Sequence, residues 1–355
     1  MPKELMTNPS LLANSTDCST DFSLQGSIRG LSWSPRGDFL LAYLQSGHLA
    51  ILDGLGARQS EWKAHEKGLL KASWSRDGFL VASSSTDGLC KIWNAVDGQL
   101  VAELPHHEGW VAHVEWSPWS DLLMTGCAKK IRLWSQSGGL VEELNSHQFP
   151  ITDMSWHPTQ RDLFSSCAGD GVRAWRLGEP DPVHRINARE YPERLCFNRR
   201  GSILAYGCSD SSVQVWTLGS GIVFKIAGRT GSNLKGLDWS WGGQWLAFCG
   251  DFEAFIWQFN DNAPHGSQPS PLHGCFGRLT KLTFHPYEHL LACGDEDGTV
   301  HVWRTDSKER AMPVAISHAS AAVADLAWNP FSKKLAVGYK NGSIRIWDGS
   351  FRANL

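Results

Sequence analysis

The chain lacks any long apolar run, and nothing in it approaches the ~18 consecutive apolar residues of a membrane-crossing helix. It also lacks net charge of either sign. With 33 basic against 36 acidic residues, the formal charge of −3 gives no footprint for a phosphate backbone or an anionic bilayer. Nucleic acid and membrane are therefore not expected as partners. The nine cysteines follow no CxxC or disulfide-framework spacing, which fits free thiols in a reducing compartment. No GxSxG, GxxxxGK or HExxH pattern occurs, so a hydrolase elbow, a phosphate cradle and a metalloprotease helix are not indicated. The first residues, MPKELMTNPSLLANSTDCST, hold no apolar core of signal-peptide length. The expectation is a cytoplasmic protein that is not an enzyme and needs no cofactor or metal.

What the chain does have is tryptophan, 18 of them, and a period. Ser83 to Trp93 reads SSSTDGLCKIW, and the residue in the Trp93 place recurs as Trp134, Trp175, Trp216 and Trp257, each 41 residues after the last, then as Trp303 and Trp347. At 355 residues the chain exceeds the usual size of one hydrophobic core. A self-similar unit of about 40 to 45 residues, with short apolar runs divided by Gly, Asp, Ser and Pro, is the signature of four-stranded propeller blades. Eight units begin with an inner strand ending in an aromatic residue: Trp33, Trp74, Trp116, Trp156, Phe197, Trp239, Phe284 and Trp328. These rings and the third-strand tryptophans are large flat surfaces for packing one blade on the next, and burying each stabilises by roughly 1.5–3 kcal/mol. The first unit carries Leu52 in the Trp place, so residues 28–53 are alternatively a degenerate extension on a seven-bladed ring. Asp261 to Phe276 holds three prolines and reads as a long loop between blades six and seven.

The repeat set resembles the WD40 (Trp-Asp repeat) β-propeller family over residues 22–348, leaving residues 1–21 and 349–355 as tails. The resemblance rests on a His early in the unit, a Ser/Asp pair and the terminal Trp, which blade two carries as His65, Ser83, Asp87 and Trp93. It implies an all-β ring of eight four-stranded blades, and it implies that this quartet is a buried structural hydrogen-bond chain. The other blades depart from the pattern. His107, His147, His273 and His318 keep the His place, but Ala188 and Thr230 take it in blades five and six, and Asp170 matches the Asp place only approximately. The family also implies ring closure by the first strand, for which Phe22 to Gln25 is the candidate, paired beside Ile344 to Trp347. Closure would remove an edge open to aggregation.

Candidate binding residues follow from the same register. Three positions before each inner-strand aromatic stand Gly30, Lys71, His113, Asp153, Arg194, Gly236, Lys281 and Asp325, which family geometry places near the channel mouth. Mixed signs suit a patterned protein or peptide surface better than a polyanion. Six positions before the aromatic stand Trp110 and Tyr191, with Phe149 and Pro150 between them and Arg189 nearby. Trp, Tyr and Arg dominate binding energy at protein interfaces. The protein-binding set is therefore Lys71, Trp110, His113, Asp153, Tyr191, Arg194, Lys281 and Asp325. The bland alternative is charge on a wetted rim and a Trp110 ring packed onto the neighbouring blade. On the opposite face Trp119, Trp241, Tyr287 and Phe331 occupy the turns after the inner strands, where Pro-aromatic turns often fold the ring inward.

Cys127, Cys167, Cys208 and Cys249 fall at one place in successive blades. Because blades fan outward, such positions are expected to lie too far apart to share an ion, and small buried thiols filling space are the simpler account. The function expected is a non-catalytic scaffold for one or more partner proteins or peptides. Its rival is a zinc-handling accessory protein using His106, His107 and His113 or the His265, His273, Cys275 loop. A third reading, an enzyme at the channel mouth, requires carboxylates with perturbed pKa values.

Overall fold

A computed structural model describes residues 19–348 apart from 106, 146, 189, 227–233, 261–262, 265–267, 276, 307–312 and 314. Residues 1–18 and 349–355 of the expected tails, and His106, Arg189, Thr230, His265 and Phe276, lie outside the described residues. The inner strands show how the sequence builds a blade. In Leu69–Trp74 the buried residues are Leu69, Ala72 and Trp74, and the same apolar spacing recurs as Val111, Val114, Trp116 and as Ile151, Met154, Trp156. A strict two-residue alternation is broken because a bulge inserts one residue after the first apolar position, as between Leu69 and Lys71. The bulge recurs in seven of the eight blades, and the inner strand of the sixth begins at Gly236, past the bulge position.

Eight antiparallel sheets run in the order inner, second, third and outer strand, and each inner strand lies beside those of the blades before and after it. The protein is an eight-bladed β-propeller. The seven-bladed alternative falls because residues 28–53 supply three full strands, Ile28–Trp33, Phe39–Leu44 and His48–Asp53, to blade one. Leu52 is fully buried there in a cluster with Trp33, Leu40 and Ile346, so leucine fills the place of the missing tryptophan.

Apolar clusters occupy every seam between blades. A polar bond adds to several. The Trp74 indole donates to the Ser32 carbonyl of the preceding blade at 3.0 Å, and Trp33, Trp156, Trp239 and Trp328 do the same to Ala327, Glu115, Cys196 and Thr283. Each ring thus buries its apolar body and satisfies its one donor.

Closure uses the chain's two ends, with a shifted boundary. The strand is Ser19–Ser23, starting ahead of Phe22, and it pairs with Ser343–Asp348 so that Ser19 faces Trp347 and Phe22 faces Ile344. Asp21 holds Arg345 across this pairing through two bonds of 2.7 and 2.9 Å. Leu24 follows it as a buried anchor. The 261–276 segment is also corrected. Ser270–Leu272 is not loop but the outer strand of blade six, pairing Leu272 with Ala254, and Pro271 is tolerated because an outer strand has an unpaired side.

Candidate functional site

The quartet of blade two is a continuous buried chain. The Trp93 indole donates to Ser83 Oγ at 2.8 Å, Ser83 Oγ meets His65 Nε2 at 2.8 Å, and His65 Nδ1 meets Asp87 at 3.0 Å. Burial holds His65 below the usual imidazole range although Asp87 opposes the shift. Blade three keeps part of the chain, with Thr125 taking both the Trp134 indole and His107 Nε2. In blade four His147 Nε2 and the Trp175 indole meet Ser165 Oγ at 2.6 and 2.8 Å, but His147 Nδ1 stands 3.7 Å from Asp170. Burial, helped by Arg173, pushes His147 down to about 4.

The ring of residues after the bulge holds one register throughout: Lys71, His113, Asp153, Arg194, Lys281 and Asp325 each face the corresponding residue of the second strand. These residues do come together around the axis, but several are committed to neighbouring blades. Asp153 accepts the Leu195 amide at 2.8 Å, and Asp325 accepts the Leu31 amide at 2.9 Å while Lys281 stands 3.1 Å from its other oxygen. Arg194 Nε donates to the Leu234 carbonyl at 3.3 Å. His113 Nδ1 lies 3.7 Å from Asp153. These groups stitch seams and fix the charge pattern at the axis.

Between Lys71 and Asp153 stands Glu115, which lies outside the register of the predicted ring. Burial raises its carboxyl to about 7, with Lys71 opposing and Asp153 adding to the rise. Burial also raises Asp238, although the Phe284 amide and the Thr283 hydroxyl of the next blade bond it at 2.8 and 3.0 Å. A second chemical signal, a polar residue one position before the aromatic, marks both carboxylates in the sequence.

The freely presented groups at the same end are aromatic. Trp110 is 67% exposed, Tyr191 53% and Phe149 48%, on the loops that lead into three successive inner strands. Trp110 therefore does not pack down onto its neighbour. The opposite face divides. Trp119 folds inward, donating to the His157 carbonyl at 3.0 Å and meeting Trp156 edge-on. Trp241, Tyr287 and Phe331 instead stay exposed in a row across blades six to eight, with ring centroids 6.0 and 6.4 Å apart. Arg199 of blade five caps the row, its guanidinium over both Trp241 and Tyr287. The inward-folding expectation thus holds for Trp119 and fails for the other three.

Of the metal-handling rival's residues, His106 and His265 lie outside the described residues, and the described histidines are engaged separately. His107 is spent on Thr125, His113 sits against Asp153 at the axis, and His273 contributes its carbonyl to the Trp303 indole.

Comparison with known proteins agrees with this architecture. Residues 56–94, 98–135 and 138–176 match the WD domain, G-beta repeat family, and residues 282–351 match the anaphase-promoting complex subunit 4 WD40 domain family. The chain belongs to the WD40-repeat β-propeller family. It is 30% identical over 103 residues to the chromatin assembly factor 1 subunit FAS2 homolog of Oryza sativa subsp. japonica, which is 27% of this chain and 20% of that protein. It is 32% identical over 116 residues to the poly(A)+ RNA export protein of Schizosaccharomyces pombe, 31% of this chain and 33% of that one. The intraflagellar transport protein 80 homolog of Mus musculus is 26% identical over 113 residues, 31% of this chain and 14% of that one. The matched stretches span a third or less of these relatives. The crystal structure of the computationally designed Ika8 protein superposes with a TM-score of 0.78 at 19% identity, covering 92% of this chain and 98% of that one, a likeness of fold.

Proposed function

We propose that this propeller is a non-catalytic scaffold that binds a protein segment across the face bearing Trp110, Phe149 and Tyr191. The observation that carries the reading is the exposure of three large rings on the loops that lead into three successive inner strands, beside an axis whose charges are held in place by seam bonds. Rings on a rigid frame lose little conformational freedom on binding, and aromatic anchors contribute most of the energy at such interfaces. The relatives' names, a chromatin assembly factor component among them, support work within protein assemblies. The eight described cysteines are free thiols, which supports the cytosol as the compartment. A second reading has one specific observation in its favour: the Arg199, Trp241, Tyr287, Phe331 row makes the opposite face a rival binding surface. Partner capture with Trp110→Ala/Tyr191→Ala beside Trp241→Ala/Phe331→Ala separates the two faces.

A further inference from the structure

Three side chains with metal-ligand chemistry meet inside blade four. His147 stands in the loop before the inner strand Ile151–Trp156, Cys167 ends the second strand Asp162–Cys167, and Asp170 lies in the turn that follows. Their ligand atoms lie within 4.8 Å of one another, and among the described residues no other group of three does so. Asp170 Oδ2 is 3.7 Å from His147 Nδ1 and 3.9 Å from Cys167 Sγ. His147 is only 7% exposed, and its Nδ1 faces this space with no hydrogen-bond partner. Cys167 is fully buried, its thiol donating to the Phe149 carbonyl at 3.1 Å.

The chain's own repeats serve as controls. Blade two has His65 in the same place, its carboxylate Asp87 one position earlier in the turn than Asp170, and Ser85 where blade four has Cys167. There the imidazole and carboxylate close to 3.0 Å, and the Ser85 hydroxyl donates to the Gly68 carbonyl. Blade three has His107 and Cys127 but turns through Ala128 and Lys129, with no carboxylate. In blade four the carboxylate is drawn away from the ring by the Gln148 amide at 2.7 Å and Arg173 at 3.2 Å, leaving the imidazole nitrogen open. Tetrahedral bonds of about 2.0–2.3 Å to N, O and S set ligand atoms roughly 3.3–3.6 Å from one another. Both distances to Asp170 need to contract by only a few tenths of an ångström, and the imidazole nitrogen and thiol sulfur, within 4.8 Å of one another, by up to about 1.3 Å to reach that tetrahedral separation.

We propose that His147 Nδ1, Cys167 Sγ and Asp170 form a three-ligand site for Zn²⁺ or a similar borderline divalent cation, with the fourth position taken by water. Ser165 fixes the imidazole through its other nitrogen, as an outer-shell partner does. On binding, Cys167 gives its proton to solvent and releases the Phe149 carbonyl. Thiolate and carboxylate then supply two negative charges against the ion's two and the one of Arg173, and the Arg173 and Gln148 donors, both on Oδ2 in the free site, pass to the carboxylate's other oxygen. The ligands lie within one blade, so the outward fan of the blades does not separate them.

The test uses Co²⁺ as a spectroscopic stand-in on the full, reduced, metal-free chain. One equivalent should bind with a thiolate-to-cobalt charge-transfer band and tetrahedral d–d bands, and Zn²⁺ should displace it. Cys167→Ser, which gives blade four the residue that blade two already folds around, should abolish the charge-transfer band and weaken binding at least about tenfold. Asp170→Asn is the second variant should the first fail to fold, and it should also weaken binding. Absence of stoichiometric binding, or an undiminished band in both variants, overturns the site.

Discussion

Glu115 offers the sharpest test of how the axis is built. Its carboxyl titrates near 7 in the folded ring, against 4.5 in an unperturbed chain, mainly because burial disfavours the charged form. The unfolded chain releases this proton first as pH rises, so the contribution to folding stability is fully present below about 4.5, is lost through the window from 4.5 to 7, and is flat above it. A pKa difference of about 2.5 corresponds to at most about 3.4 kcal/mol at alkaline pH. Glu115→Gln removes the ionisation while keeping the shape. Relative to the parent it should gain nothing at pH 4 and up to about 3 kcal/mol at pH 8, with the rise between. Urea unfolding of both proteins at four pH values reads this directly, because titrating groups that do not interact with Glu115 cancel in the difference. A difference that is constant with pH, or that grows toward acid, refutes the burial argument.

Two further predictions concern the frame. Ser83→Ala leaves the Trp93 indole and His65 Nε2 without their shared partner, and denaturant unfolding should show a loss of roughly 2–4 kcal/mol, with less than about 0.5 contradicting the buried chain. Asp325→Ala strips the Leu31 amide and Lys281 of their acceptor at the closing seam. It should cost roughly 1–3 kcal/mol and speed hydrogen exchange at Leu31, while unchanged exchange there would remove the seam role.

Much of this was legible in the sequence for a physical reason: the repeat enforces one register eight times, so even the poor first unit could be placed by its neighbours. The buried aromatics ending each inner strand follow from that register, and the members of the blade-two chain from the family resemblance. What escaped was whatever depends on contacts between units. The indole bonds of Trp74 and its equivalents reach a carbonyl 41 to 45 residues away, or 294 for Trp33 across the closing seam, and no local pattern announces them. Asp153 and Asp325 read as rim charges, yet each spends an oxygen on the next blade's amide. Trp119 and Trp241 sit in equivalent turns, third and second after the inner-strand aromatic, and differ in exposure, since Trp119 finds the His157 carbonyl whereas Trp241 lies under Arg199. Cys167 looked like space-filling thiol until the turn brought Asp170 and His147 around it.

The central claim is that the Trp110 face holds a protein partner. The direct measurement is capture from lysate of the native cell, read by mass spectrometry, with the parent chain, Trp110→Ala/Tyr191→Ala and Trp241→Ala/Phe331→Ala side by side. All three should unfold within about 0.5 kcal/mol of one another, because the altered rings are exposed. A partner held by the parent and by the Trp241/Phe331 variant, and weakened by roughly 2–4 kcal/mol in the Trp110/Tyr191 variant, is the result predicted. The same partner retained equally by all three proteins would contradict it.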